Sequence, residues 1–105
     1  MSRRPRSIKR DITIEEKILM KIYDFNGRKN LCGKKIRRAR VAKKLTQDEL
    51  AARLQCYGVT IERDSISRIE SGTRFVADYE LKIMSEIFEI PVEWFIDSRD
   101  HFDHI

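Results

Sequence analysis

The sequence predicts an all-α domain, and three observations carry that expectation. Apolar residues recur at helical spacing through most of the chain. Runs that alternate apolar and polar residues, the mark of a half-buried strand, are scarce. Glycine and proline, four and two in 105 residues, act as punctuation between helical patterns. A chain of this length is one domain with room for a flexible arm. No apolar run approaches the roughly 20 residues that would cross a bilayer.

Taken in order, residues 1–12 are rich in arginine, contain Pro5 and show no periodicity, so they are expected to form a basic flexible arm. Thr13 and Glu16 have capping-box spacing, and Ile14, Ile18, Ile22 and Phe25 make an apolar stripe that Asn26-Gly27 can end. An amphipathic helix is therefore expected near 14–25, within an additional helix and linker at 13–30. Its stripe must bury against the domain itself or against a second subunit, and packing on the domain is the expectation. The next helix runs from about Cys32 to Lys44, with Ile36 and Ala39 inward and Lys34, Lys35, Arg37, Arg38 and Lys43 outward. Thr46 is a suitable N-cap for a third helix, with Glu49 three residues on and Leu50, Ala51 and Leu54 as its inner face. Gly72 at the C′ position ends a fourth, R-D-S-I-S-R-I-E-S. Asp78 can cap a fifth, in which Leu81, Met84, Ile87 and Phe88 recur at helical spacing. After Pro91, V-E-W-F-I forms a last short helix, with Trp94 and Phe95 expected in the core, and residues 98–105 are a polar tail.

The fourth helix poses the functional question. Serine is a poor helix former because its hydroxyl competes for backbone groups, yet this helix carries three serines and two arginines. Ile66 and Ile69 would lock it onto the preceding helix, and the small Ala51 would let the two backbones approach. Arg63, Asp64, Ser65, Ser67 and Arg68 must then face outward. Arginine can donate two hydrogen bonds to guanine, and serine can donate or accept at several base edges. Short serines also keep a helix from crowding a groove floor.

Charge adds context. Residues 1–44 hold 16 Lys and Arg against four acids, and residues 45–105 hold six against 13. That asymmetry suits a polyanion partner, although a basic cluster alone equally suits a solvated face. The basic start lacks the apolar core of a secretory signal. Cys32 and Cys56 are too few for a disulfide framework and lack metal-ligand spacing, so reduced thiols in a cytoplasmic protein are expected. The only histidines, His101 and His104, lie in the tail. They leave the serines without a base, and no metal site or cofactor is expected. No glycine-rich phosphate loop or acid–base pair is present, which argues against an enzyme.

Residues 32–97 resemble the Cro and phage-repressor (XRE-type) helix-turn-helix domain. The resemblance is carried by I-R-R-A-R (36–40), L-T-Q-D-E-L-A-A-R-L (45–54), I-S-R-I-E-S-G (66–72) and the closing E-I-P-V-E-W-F. It implies a compact five-helix repressor-like domain over 31–97, here with an extra N-terminal helix and the basic arm. It further implies base contacts from Arg63, Asp64, Ser67 and Arg68. Phosphate contacts would come from Gln47, Arg37, Lys43, Ser65, Thr73 and Arg74, with Lys34 and Arg38 nearby. Arg40 and Glu70 match positions that form a structural ion pair in this family. One departure stands out: Q-C-Y-G-V-T-I-E makes the turn before the recognition helix about five residues longer than usual. Gly58 can end a lengthened motif helix there, and Thr60 can cap the next.

The expected function is sequence-specific binding of double-stranded DNA by a transcriptional regulator, a repressor in the first instance. The helix at about 62–71 would enter the major groove. One such module buries little surface, so a homodimer on an inverted repeat is expected. The arm is either a solvated tail or a minor-groove contact. With no ligand domain on these residues, control would come through abundance, proteolysis or a protein partner. The expected place is the cytoplasm, on the nucleoid when bound to DNA, with no membrane partner. The alternative is an antitoxin or a protein-interaction adaptor built on the same helices, binding nucleic acid nonspecifically through its basic half.

Overall fold

The computed structural model describes residues 13–15 and 27–97. Ile14 and Glu15 are helical. The basic arm, the rest of the helix expected at 14–25, and the tail with His101 and His104 lie outside the described residues. Five helices then follow: α1 (Gly33–Ala42), α2 (Gln47–Cys56), α3 (Arg63–Ser71), α4 (Asp78–Phe88) and α5 (Val92–Ile96). The domain is all-helical, as the periodicity predicts.

The core is the sum of the inner faces. α3 packs against both α1 and α2, α4 covers the same pair, and α5 packs on α4. Ile36, Leu50, Leu54, Ile66, Ile69, Met84, Phe88 and Phe95 are its largest fully buried side chains, and Trp94 packs edge-on against Phe95 at 5.0 Å. Truncating any of the buried leucines or isoleucines to alanine would cost about 2–5 kcal/mol, because the cavity left behind closes only partly.

Local signals explain most helix ends. Thr46 and Glu49 form a reciprocal capping box: Glu49 N–H donates to Thr46 Oγ1 at 3.0 Å, and Thr46 N–H donates to Glu49 Oε1 at 2.8 Å. Gly72, with φ +88°, ends α3 in a Schellman arrangement. Its own N–H donates to Ile69 O at 3.1 Å, and Thr73 N–H donates to Arg68 O at 2.8 Å. α1 is shorter than the expected 32–44, because Lys44 adopts a left-handed φ of 61° and turns the chain toward α2.

Two expected caps are corrected. α4 begins after Ala77, not after Asp78. The buried Glu80 reaches back to accept from Ala77 N–H at 3.0 Å, which leaves Asp78 exposed in the first turn. Likewise Thr60 does not cap α3, whose N-cap position is Glu62 with no side-chain bond. The long connection explains why. Val59 and Ile61 both plug into the core, so Thr60 between them points outward, two residues ahead of the cap. Val59 N–H donates to Leu54 O at 3.1 Å, and Gln55 Nε2 donates to Ile61 O at 2.6 Å. Val59 and Ile61 thus extend the core from within the connection, while its other residues are exposed.

A third correction concerns Lys35, expected outward and found 4 % exposed. Its Nζ donates to Trp94 O at 2.8 Å and Asp97 O at 3.0 Å, and lies 5.2 Å from the Trp94 ring centroid. The carbonyls ending α5 need donors, and a lysine stem can cross apolar surface to bring one.

Candidate nucleic-acid interface

The residues that α3 spends on packing determine what it displays. Ile66, Ile69 and Glu70 are buried, Ser65 and Ser67 are half-buried, and Arg63, Asp64 and Arg68 are exposed. Arg63, Ser67 and Glu70 follow i, i+4, i+7 spacing, so they share one stripe. That stripe runs beside the first turn of α2. Gln47 Nε2 donates to Glu70 Oε1 at 3.0 Å, and Asp48 Oδ1 lies 3.8 Å from Arg63 Nε.

Glu70 is the meeting point of three helices. From α1, Arg40 donates Nε to Oε2 at 2.6 Å and NH2 to Oε1 at 3.0 Å, while its NH1 donates to Leu45 O at 2.8 Å. The Glu70 bonds raise the Arg40 pKa. The two side chains are 11 % and 4 % exposed, so the pair joins α1 to α3 with little water between. Arg37, one turn earlier on α1, approaches Glu70 Oε1 at 3.9 Å and is mostly exposed. Gln47 and Arg37, both expected at phosphate, therefore lie side by side around one carboxylate.

The C-terminal end of α3, where Glu70 lies, is also closed by a segment that sequence reasoning passed over. Asn30 Nδ2 donates to Ile69 O at 2.9 Å and Arg74 O at 2.8 Å, and its Oδ1 accepts from Gly33 N–H at 2.7 Å. Arg28 NH2 donates to Glu70 O at 3.0 Å and NH1 to Ser71 O at 3.3 Å. Lys29 N–H donates to Gly72 O at 2.8 Å. Cationic donors at a helix C-terminus are favoured by the helix dipole. Gly33 is required where α1 starts: a Cβ there would fall on the Ile69 carbonyl oxygen, well inside contact distance. No local pattern marks Arg28 or Asn30, because their partners lie some 40 residues away along the chain.

The remaining expected contacts are placed as follows. Thr73 Oγ1 is within 3.4 Å of Arg68 O and 3.2 Å of Ser71 Oγ, all three exposed around the end of α3. The Arg74 guanidinium is held by Glu80, NH1 to Oε1 at 3.0 Å and NH2 to Oε2 at 3.1 Å, which leaves it half-buried. It lines an open hollow of about 350 Å³ together with Phe75, Val76, Ala77, Tyr79 and Glu80. Lys43 pairs with Glu89 at 3.5 Å near the end of α1, and Lys34, Arg37 and Arg38 are exposed on the same helix. Both cysteines are free thiols; Cys56 is exposed, whereas burial raises the Cys32 pKa to about 11. No helix among the described residues is long and apolar enough to cross a membrane.

A family model described as helix-turn-helix matches residues 36–95, more than half of the chain. No curated protein and no solved structure gives a match. The matched span begins after Arg28, Asn30 and Gly33, so these closing residues lie outside it and the main chain they meet lies within it.

Proposed function

The chain belongs to the helix-turn-helix family of Cro and phage-repressor type, a family of DNA-binding regulators, and from that premise we infer that it reads a specific double-stranded DNA sequence by placing α3 in the major groove. One observation carries the reading. α3 gives Ile66, Ile69 and Glu70 to the interior and presents Arg63, Asp64 and Arg68, with Ser67 at the edge, on a helix fastened at its C-terminal end. Arg63 and Arg68 have the bidentate donors that suit guanine, and Ser67 can donate or accept. Asp64 accepts from cytosine N4–H or steers Arg63, which it meets at 3.4 Å.

Phosphate contacts would set the register without reading sequence. Gln47 keeps one amide proton for a phosphate while the other is used on Glu70, and Arg37 stands next to it. Ser65, Lys43, Thr73 and Arg74 complete the expected set, although Arg74 must leave Glu80 or contact DNA through its remaining proton donors. Action as a repressor, a homodimer on an inverted repeat, and a cytoplasmic place belong to the same proposal. A single module buries too little surface for tight specific binding, so two copies on symmetric half-sites supply the rest.

The test is a selection of random duplexes by the full chain at physiological salt, followed by substitution. A symmetric motif is expected. Replacing Arg63 or Arg68 by alanine should then cost ~1–3 kcal/mol at the selected site and relax one base position. Replacing Arg37 or Lys43 should weaken all duplexes alike and flatten the salt dependence. Equal, sequence-independent losses for all four would sink the reading and favour an adaptor with a nonspecific basic face.

A further inference from the structure

Arg63 opens α3 with its side chain 55 % exposed, yet it does not stand alone. Its NH2 lies 3.4 Å from Asp64 Oδ1 and its Nε lies 3.8 Å from Asp48 Oδ1. Asp64 is its neighbour in the same turn, whereas Asp48 comes from the first turn of α2. One guanidinium is thus flanked by carboxylates from two helices. Nothing in the core requires Asp48, which is 77 % exposed and takes no part in the capping box beside it.

We propose that Asp48 is a specificity-determining positioning residue, which holds the Arg63 guanidinium in the direction that grips a guanine and discourages Arg63 from settling on phosphate. The inference rests on the DNA-reading role given to α3 above. Asp48 makes no base contact in this scheme; it acts through Arg63. A free arginine loses much rotamer freedom when it binds, and an arginine already biased toward one direction by a neighbouring carboxylate loses less. The same carboxylate repels phosphates, so misaligned duplexes are disfavoured while a guanine in reach of Arg63 is not. Exposed ion pairs are individually weak, which bounds the effect.

The experiment compares the full wild-type chain with Asp48→Asn and Asp48→Glu, each with and without Arg63→Ala. Affinity is measured for the selected duplex and for the duplex changed at the base that Arg63 reads. Asp48→Asn should lower the ratio of the two affinities about threefold to fivefold, while random duplexes bind as well or better. Asp48→Glu should restore much of the ratio. In the Arg63→Ala background Asp48→Asn should leave the ratio unchanged. In the DNA-free protein, Arg63 Nε–H relaxation should report a more mobile side chain in Asp48→Asn.

An unchanged ratio in Asp48→Asn, or an equal drop without Arg63, overturns the role of Asp48 and leaves the DNA reading intact. A wild-type chain that selects no sequence, even with an ordered Arg63, overturns the DNA reading and the role of Asp48 with it.

Discussion

At the C-terminal end of α3, Arg40 and Glu70 meet at 2.6 Å with 11 % and 4 % of their side chains exposed. At its N-terminal end, Arg63 stands 3.4 Å from Asp64 and 3.8 Å from Asp48, and all three are more than half exposed. The chemistry is the same, guanidinium with carboxylate, and the consequences are opposite. The buried pair is saturated: Glu70 accepts from Arg40 and Gln47, and Arg40 also satisfies Leu45 O. Breaking it leaves a charge with nowhere to go. The exposed pair is cheap to dissolve, and water or a base edge can replace either partner. One end of the helix is therefore built to stay and the other to exchange partners, as the proposed groove-reading role of α3 requires.

That contrast can be attacked from the fixed end first. Glu70→Ala should destabilise the domain by about 3–5 kcal/mol in urea unfolding, while the double change Arg40→Met with Glu70→Leu should lose much less. A single-variant loss below 1 kcal/mol would show that the pair is no mount at all. Gly33→Ala comes next. Its Cβ would strike the Ile69 carbonyl oxygen, backbone that cannot swing aside, and a loss of about 3 kcal/mol is expected from the forced separation of α1 and α3.

The third prediction uses pH. Burial raises the Cys32 thiol from 9.0 to about 11 in the folded state. Between those values the unfolded chain releases the proton while the folded chain keeps it, so stability is present below pH 9 and falls as pH rises toward 11. The loss is of the order of 2–3 kcal/mol, and Cys32→Ala should flatten that part of the stability curve. An alkylating probe should likewise label Cys56 in the native protein and Cys32 only on unfolding. The smallest effect lies at the open end. Arg68→Ala should move stability by less than about 0.5 kcal/mol, and a larger change would show that the displayed face also holds the fold.

How far the sequence could be read follows the same division. Periodicity placed all five helices, and the Thr46–Glu49 box and Gly72 are ends that local chemistry specifies. Ile66 and Ile69 were legible as inward, and with them the exposure of Arg63, Asp64 and Arg68, whereas Ser65 and Ser67, expected outward, are half-buried. Lys35 was misread because a lysine on a basic helix looks like solvent surface. Only the position of α5 reveals the carbonyls of Trp94 and Asp97 that draw it in. Thr60 and Asp78 were offered as caps because both have good capping chemistry. In each case a neighbour's burial decided otherwise: Val59 and Ile61 around the first, Glu80 beyond the second. Arg28 and Asn30 gave no sign, since what they bind is main chain brought near by the fold. Asp48 likewise gave no sign, and only its approach to Arg63 singles it out.

The closure of α3 by Arg28–Asn30 sets where this domain can be cut. The five helices span Gly33–Ile96, and a fragment trimmed to them would retain the hydrophobic core apart from Cys32. It would also lose the amide that ties Ile69 to Arg74 and the guanidinium that seals Glu70 and Ser71. At the other edge it would lose Asp97, whose carbonyl receives Lys35. Anyone transplanting this helix-turn-helix domain onto another protein should carry residues 28–97 as the portable unit.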